Sequence, residues 1–477
     1  MNTEEARRLT EKLYRRLDSR RREIDELDEY HEGKQPLVYA SKSWAEFHRD
    51  RYAGFSDNWC GVVANAPSER LKVLGVRAAG VDDGLVKTLW EDWLRNGCEA
   101  QSAQGFLQAI VARRAFVKVW GNADDEPDIV FLHPSQALVD YDSSGRHRRA
   151  AVEAWVEDDT EFANLHTGDF LFKWQRPTAH NVAERRTPAG VIVVESAIRQ
   201  VGNDGGWMPV ETANEPWPLP NPMGKVAIVE LANRPRLGRA PVSDIAGTKA
   251  MQDAINLLWA YLFGAADHAS LPARVVMGQE RPKIPILDKD GQKVGEQAVD
   301  IKDLANGRLL WLTGQNAKIG QWDAAKLDAF TDVIEVAVGH IAAQTRTPAH
   351  YLIAQSDNVP GTGYELAEGG LVSRVGEAQT YFSGDLRDVF ELMALVRDKT
   401  ELAKSMRTAT ILWHDAAIRN EAQLTDALQK KKTMGYPLEY LLELEGKSPV
   451  EIERVMAMVA RERSDPTMEQ VARELAL

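Results

Sequence analysis

The sequence predicts an α+β protein, and three observations carry the prediction. The first third mixes apolar residues at helical spacing with short alternating runs. Short strand-like segments then fill residues 128–210. Beyond a proline-rich break, helical spacing returns almost to the end of the chain.

Each element has its own warrant. Residues 1–32 read as one amphipathic helix, with Leu9, Leu13, Leu17, Ile24 and Leu27 near one stripe and arginines crowding the other side. The run Arg20-Arg21-Arg22 reads as a solvated face. Gly33-Lys34-Gln35-Pro36 stops the helix. Phe55, Trp59, Val62 and Ala66 are spaced for a second helix, Leu85, Leu89 and Trp93 for a third, and Phe106, Ile110 and Val111 for a fourth. Residues 116–120 form a strand ended by Gly121-Asn122. Further strands are expected at 129–132, 151–156, 170–174, 191–194 and 207–210. Pro209, Pro216, Pro218, Pro220 and Pro222 then break regular structure and place a boundary near residue 225. Pro241 opens a helix to about Ala269, with Met251, Ile255, Leu258 and Leu262 on one face. Residues 270–325 carry turn signals (Asp290-Gly291, Asn306-Gly307) between short strand-like pieces such as 309–312. From Asp323, an N-cap, a helix runs to Gln344 on the stripe Leu327, Phe330, Ile334, Ala337 and Ile341. Thr347-Pro348 and Val359-Pro360-Gly361 mark a loop. The next helix reaches about Lys399 and places Leu371, Val375, Ala378, Phe382, Leu386, Val389 and Met393 in near-heptad order, over about 50 Å. Residues 411–413 make a short returning strand. Short helices close the chain, the last opened by the capping box Ser448-Pro449-Val450-Glu451.

Composition narrows the function. The chain has 477 residues, 44% hydrophobic and 27% charged, enough for a sizeable core. Its net charge of −13 is the wrong sign for a protein that grips DNA over its whole surface, though not for one that lets DNA slide past. The charged start from Glu4 to Arg8 lacks the apolar stretch of a signal peptide, and the apolar run at 254–266 is too short to span a bilayer. The expectation is a cytoplasmic product with no membrane partner. Cys60 and Cys98, with no metal spacing, read as buried thiols.

The search for chemistry finds no phosphate loop of the form GxxxxGK[ST], no HExxH and no GxSxG, and the ten histidines are scattered. Residues 191–195 resemble the acidic strand end of an ATPase but read as a plain strand without a glycine loop to partner them. Asp140-Tyr141-Asp142-Ser143-Ser144-Gly145 resembles the start of a calcium loop. Its twelfth position is Ala151, where a bidentate Glu is needed, so it reads as a polar turn. Asp124-Asp125-Glu126 and Glu157-Asp158-Asp159 read as solvated loops. No catalytic residue, metal site or cofactor is expected, which favours a structural or binding protein.

Several stretches then resemble one family. Tyr30-His31-Glu32-Gly33-Lys34-Gln35-Pro36-Leu37, Phe55-Ser56-Asp57-Asn58-Trp59-Cys60, Asn233-Arg234-Pro235 and Met251-Gln252-Asp253-Ala254-Ile255-Asn256 occur in the order seen in portal proteins of tailed double-stranded DNA phages, most closely the SPP1-type family of actinobacterial phages. Ser356-Asp357-Asn358-Val359-Pro360-Gly361 resembles that family's loop before its long helix, with Pro360 where Ser is usual. Segments 426–430 and 446–452 resemble its C-terminal helices.

The resemblance implies a portal fold: a mixed α/β wing at 1–230, a first stem helix at 231–269, a small α/β clip at 270–325, a second stem helix at 326–345, a tunnel loop at 346–362, a wing helix and returning strand at 363–415, and a helical crown at 416–477. It also implies a cyclic homo-oligomer, typically of twelve subunits, at one capsid vertex of the virion, assembled in host cytoplasm. Double-stranded DNA would pass through it during packaging and ejection. Terminase large subunit, a head-tail adaptor, and major capsid and scaffolding proteins would be partners. Asp253, Asp328, Asp332 and Glu335 are candidate channel-lining acids. Arg346, His350, Asn358 and Gly361 are candidate tunnel-loop residues, and Arg281, Lys283, Lys289 and Lys293 a candidate partner surface on the clip. The competing readings are a DNA-packaging enzyme, terminase or nuclease, and a non-portal minor capsid protein.

Overall fold

The computed structural model describes residues 1–37, 55–178, 182–186, 192–196, 205–212, 215–270, 274–277, 283–287, 291–298, 318–321, 326–352, 367–417, 421–447 and 449–464. The chain divides into two compact units, one of residues 1–36, 54–253 and 338–477, the other of 37–53 and 254–337.

The first unit opens with helix α1 (Thr3–Glu32). Asn2 and Glu5 cap its start reciprocally, and Gly33, at φ +72°, ends it. Helices α2 (Trp59–Ser68), α3 (Asp83–Arg95) and α4 (Cys98–Ala112) follow, with strand β1 (Val73–Arg77) between the first two. Then come β2 (Arg114–Gly121), β3 (Pro127–Leu132), β4 (Ala137–Tyr141), β5 (Arg148–Glu157), β6 (Thr160–His166) and β7 (Phe170–Pro177). A two-stranded hairpin, β8 (Val182–Arg186) and β9 (Ile192–Ser196), follows. Among the described residues of the proline-rich stretch, the named strands are the two-residue β10 (Met208–Pro209) and β11 (Leu219–Pro220), both on β7. The chain then re-enters as β12 (Ile228–Ala232), antiparallel to β2.

Two cores sandwich the antiparallel sheet. Ala6, Leu13, Tyr14 and Leu17 of α1 pack on Ala150, Val152, Ala154, Leu165, Phe172 and Trp174. On the opposite face Ala151 of β5 joins Phe116, Leu132, Val139 and Ile228. Strand β5 is buried on both faces from Ala150 to Ala154, including Glu153, which Lys118 pairs at 2.7 Å.

In the second unit α5 (Lys249–Ser270) continues from the first; β13 (Arg274–Met277) pairs with β16 (Lys318–Gln321), and β14 (Lys283–Leu287) with β15 (Lys293–Ala298). Helix α6 (Asp328–Thr345) leads back into the first unit. There α7 (Gly369–Val396), about 42 Å long, buries the whole predicted stripe from Leu371 to Met393. It is followed by α8 (Thr400–Met406), β17 (Thr410–Trp413), α9 (Glu421–Thr433), α10 (Leu438–Glu445) and α11 (Pro449–Ser464). β17 pairs with β1, and Trp413 donates to Ser383 of α7 at 2.8 Å while packing on Phe106. No described helix is long and apolar enough to cross a membrane.

Three expectations need correction. Helix α5 starts at Lys249, not Pro241, because backbone groups before it are engaged elsewhere: Asp244 N–H donates to Ile110, and the Val242 carbonyl accepts from Asn233. The long helix ends at Val396, where Asp398 takes φ +54° and α8 begins separately. The arginine face of α1 is less solvated than expected. Arg21 donates to the Ser135 carbonyl, Arg16 bonds Asp140 at 2.6 Å, and Arg20 is half-buried.

Candidate functional site

The motif segments converge in one hydrogen-bonded knot within the first unit. The Gln252 side-chain oxygen accepts from the backbone N–H of Trp59 at 2.8 Å and of Cys60 at 3.3 Å, capping α2, and its amide donates to the Asp57 carbonyl. Asn58 accepts from Gly61 N–H and donates to the His31 carbonyl. The Tyr30 hydroxyl donates to Asp253 at 2.8 Å. Segments far apart in sequence thus secure one helix start and the entry to α5.

A second cluster lies where α6 ends. Arg374 on α7 is 5% exposed. Its guanidinium bonds Asp244 at 2.6 Å, the Thr345 carbonyl at 3.0 Å and the Val63 carbonyl at 2.9 Å. Asp244 also accepts from Asn233 at 3.0 Å and Arg234 at 3.3 Å. Next to Thr345, Arg346 adopts φ +55°, a left-handed conformation usually left to glycine and costing about 1–2 kcal/mol. Its side chain forks onto Glu377 of α7 at 3.1 and 3.2 Å. Gly370 permits the close approach, since a Cβ there would lie 3.3 Å from that of Arg346. One turn on, Tyr351 accepts from Arg70 at 2.7 Å and donates to Glu368 at 3.1 Å, and Arg70 also bonds the Ala416 carbonyl. Residues 345–352 are therefore tied to α7 through Arg374 and Glu377 and to its N-cap residue Glu368.

The candidate residues fall into distinct groups. Asp253 is 6% exposed, and its carboxylate accepts from the Tyr30 hydroxyl within the subunit. Burial raises its pKa above the usual carboxylate range. Asp328, Asp332 and Glu335 are exposed and, spaced four and three residues apart, share one face of α6. Arg346 is committed to Glu377, and His350 lies 3.8 Å from Glu368. Lys283 pairs with Glu296 across the β14–β15 hairpin, and Lys293 pairs with the same Glu296 along β15. Arg281, Lys289, Asn358 and Gly361, together with the expected strand 309–312, lie outside the described residues, and the helix expected to start from a cap at Asp323 starts instead at Asp328, with Lys326 and Leu327 not yet helical.

The acidic clusters sit in turns. Asp142 accepts from Ser144 and the backbone of Arg146, with Gly145 at φ +71°. Asp158 and Asp159, both at positive φ, form the β5–β6 hairpin turn. Among the described residues no three His, Cys, Asp or Glu side chains are grouped to hold a metal. Sequence reasoning missed Arg374. A charged residue inside the apolar stripe of α7 was the available signal.

Comparison with known proteins bears on the chain as a whole. The portal protein of Mycobacterium phage D29 is 24% identical over 382 residues, covering 76% of this chain and 70% of the relative. That of Mycobacterium phage L5 is 23% identical over 388 residues, covering 77% and 71%. Among solved structures, a chain from the neck of a native gene transfer agent particle, computed with C12 symmetry, matches with TM-score 0.43 and 11% identity over 86% of this chain and 95% of that one. A chain from the empty particle's neck gives 0.44 and 10% over the same shares. The model of one family, phage portal protein, SPP1 Gp6-like, matches residues 10–449, and the chain belongs to that family.

Proposed function

We propose that this portal subunit closes into a ring of about twelve copies at one capsid vertex, through which double-stranded DNA enters and leaves. The observation that carries the reading is the family match over residues 10–449. The subunit's role is structural rather than catalytic. A closed ring needs a heterologous interface, in which one face meets a different face of the next copy. Val333 and Val336, 52% and 59% exposed on α6, offer apolar surface for such a contact.

In this reading residues 346–362 form the tunnel loop, and Asp328, Asp332 and Glu335 give the lining a repulsive character toward phosphate, so that DNA slides rather than sticks. The β14–β15 hairpin of the clip, where Ile284 and Ile286 are 58% and 49% exposed, is the docking surface for terminase and later the head-tail adaptor. Capsid and scaffolding proteins meet the ring during assembly in host cytoplasm. Mass measurement and negative-stain imaging of the purified chain test the central claim. Rings of about 640 kDa, twelve copies of 53.2 kDa, support it. Closed dimers, with no axial channel even when capsid and scaffolding proteins are supplied, would sink it.

A further inference from the structure

The turn between β12 and α5, residues 233–241, reads Asn-Arg-Pro-Arg-Leu-Gly-Arg-Ala-Pro: three arginines and no acid, in a chain of net charge −13. Its shape is constrained. Pro235 and Pro241 fix φ near either end. Gly238 takes φ +65°, and Arg236 and Arg239 face each other across an antiparallel bridge. Arg236 Nε donates to the Ala240 carbonyl at 2.9 Å, which holds that guanidinium in place. Leu237 at the tip is fully exposed.

Residues directly opposite in such a bridge have Cβ atoms about 5 Å apart, where like charges repel. Among the described residues Arg234 pairs with Asp244, but no carboxylate pairs with Arg236 or Arg239. A bound anion bridging the two would relieve the repulsion. Position indicates which anion. Arg234 and Arg374 share Asp244, and Arg374 also holds Thr345, so the turn stands beside the foot of loop 346–362. The cation of that foot, Arg346, is already spent on Glu377.

We propose that Arg236 and Arg239 form a contact with the phosphate backbone of double-stranded DNA beside the tunnel loop, an inference that rests on the channel reading above. A phosphate contact is independent of sequence, as a passing genome requires. A contact confined to two arginines per copy also suits an acidic chain that must not hold DNA tightly.

The test compares the wild type with an Arg236→Ala/Arg239→Ala double variant and an Arg236→Lys/Arg239→Lys double variant. Binding of a short mixed-sequence duplex is followed by fluorescence anisotropy as salt rises from about 50 to about 200 mM. Losing two phosphate contacts lowers the slope of log affinity against log salt by about 1.8 for each subunit that touches the duplex, so the wild type loses at least about 12-fold more affinity over that range than the alanine variant. The lysine variant keeps the wild-type slope. Equal slopes for wild type and alanine variant overturn the proposal. Loss of ring closure in the alanine variant with an unchanged slope also overturns it, and assigns the turn to an acidic surface of the neighbouring copy. Assembly mass is recorded first: a wild type that forms no rings counts against the channel reading, and the slope comparison still decides for the turn.

Discussion

Arg374 shows how much one side chain can hold. Its charge is buried but fully answered by Asp244 and two carbonyls, so truncation leaves Asp244 desolvated with weaker support. Breaking such a pair typically costs about 3–5 kcal/mol. Arg374→Ala is expected to lower the thermal midpoint of the subunit clearly, and Arg374→Lys to recover only part, because a lysine cannot reproduce the fork. A midpoint in Arg374→Ala equal to wild type would refute the keystone role. His166 offers a second test. It is 2% exposed, it lies 3.6 Å from Glu153, and burial lowers its pKa below 6.5. The folded state therefore keeps it neutral while the unfolded chain protonates it. Its contribution is fully present above pH 6.5 and declines as pH falls below that value, opposed by the nearby Glu153 carboxylate. Denaturant titrations across that range are expected to show the decline, and His166→Leu to flatten it. The sequence placed neither residue in a role, since a histidine in a strand and an arginine in a helix acquire partners only from distant segments.

At the scale of elements, the apolar stripes were legible wherever one helix buries one face. Leu13, Leu17, Ile24 and Leu27 on α1, and Leu371 to Met393 on α7, are buried as their spacing predicts. Helix ends were less legible. The start of α5 depends on Asn233 and Ile110 engaging residues 242–244, which no local pattern encodes. The exposed stripe Asp328, Asp332 and Glu335 on α6 carries like charges four and three residues apart, an arrangement that mildly destabilises the helix by itself. If it faces passing DNA, an Asp328→Lys/Asp332→Lys variant will form rings normally but package DNA more slowly, because new phosphate contacts retard sliding. Packaging rates equal to wild type in an in vitro assay would count against a repulsive lining.

At the scale of the whole molecule, net charge acts on assembly. Each copy carries −13, so closing a ring gathers like charge. Raising ionic strength from about 0.01 to about 0.15 M shortens the screening length from about 30 to about 8 Å. Mass photometry at fixed protein concentration is expected to show the ring fraction rising over that range; a falling fraction would mean that ion pairs, not apolar contacts, dominate the interface. The sequence by itself determined the α+β class, the order of the elements, the buried faces of the long helices and membership in the portal family. These follow from local periodicity, turn chemistry and motifs that survive in order along one chain. Only the tertiary structure decided that Asp253 is a buried acceptor for Tyr30, that Gln252 caps α2, that Arg346 is spent on Glu377 and that Arg236 and Arg239 are left facing each other. The reason is physical: whether a charged side chain is available to a ligand depends on which opposite charge lies within a few ångströms, and that neighbour comes from a part of the chain that sequence spacing does not reveal.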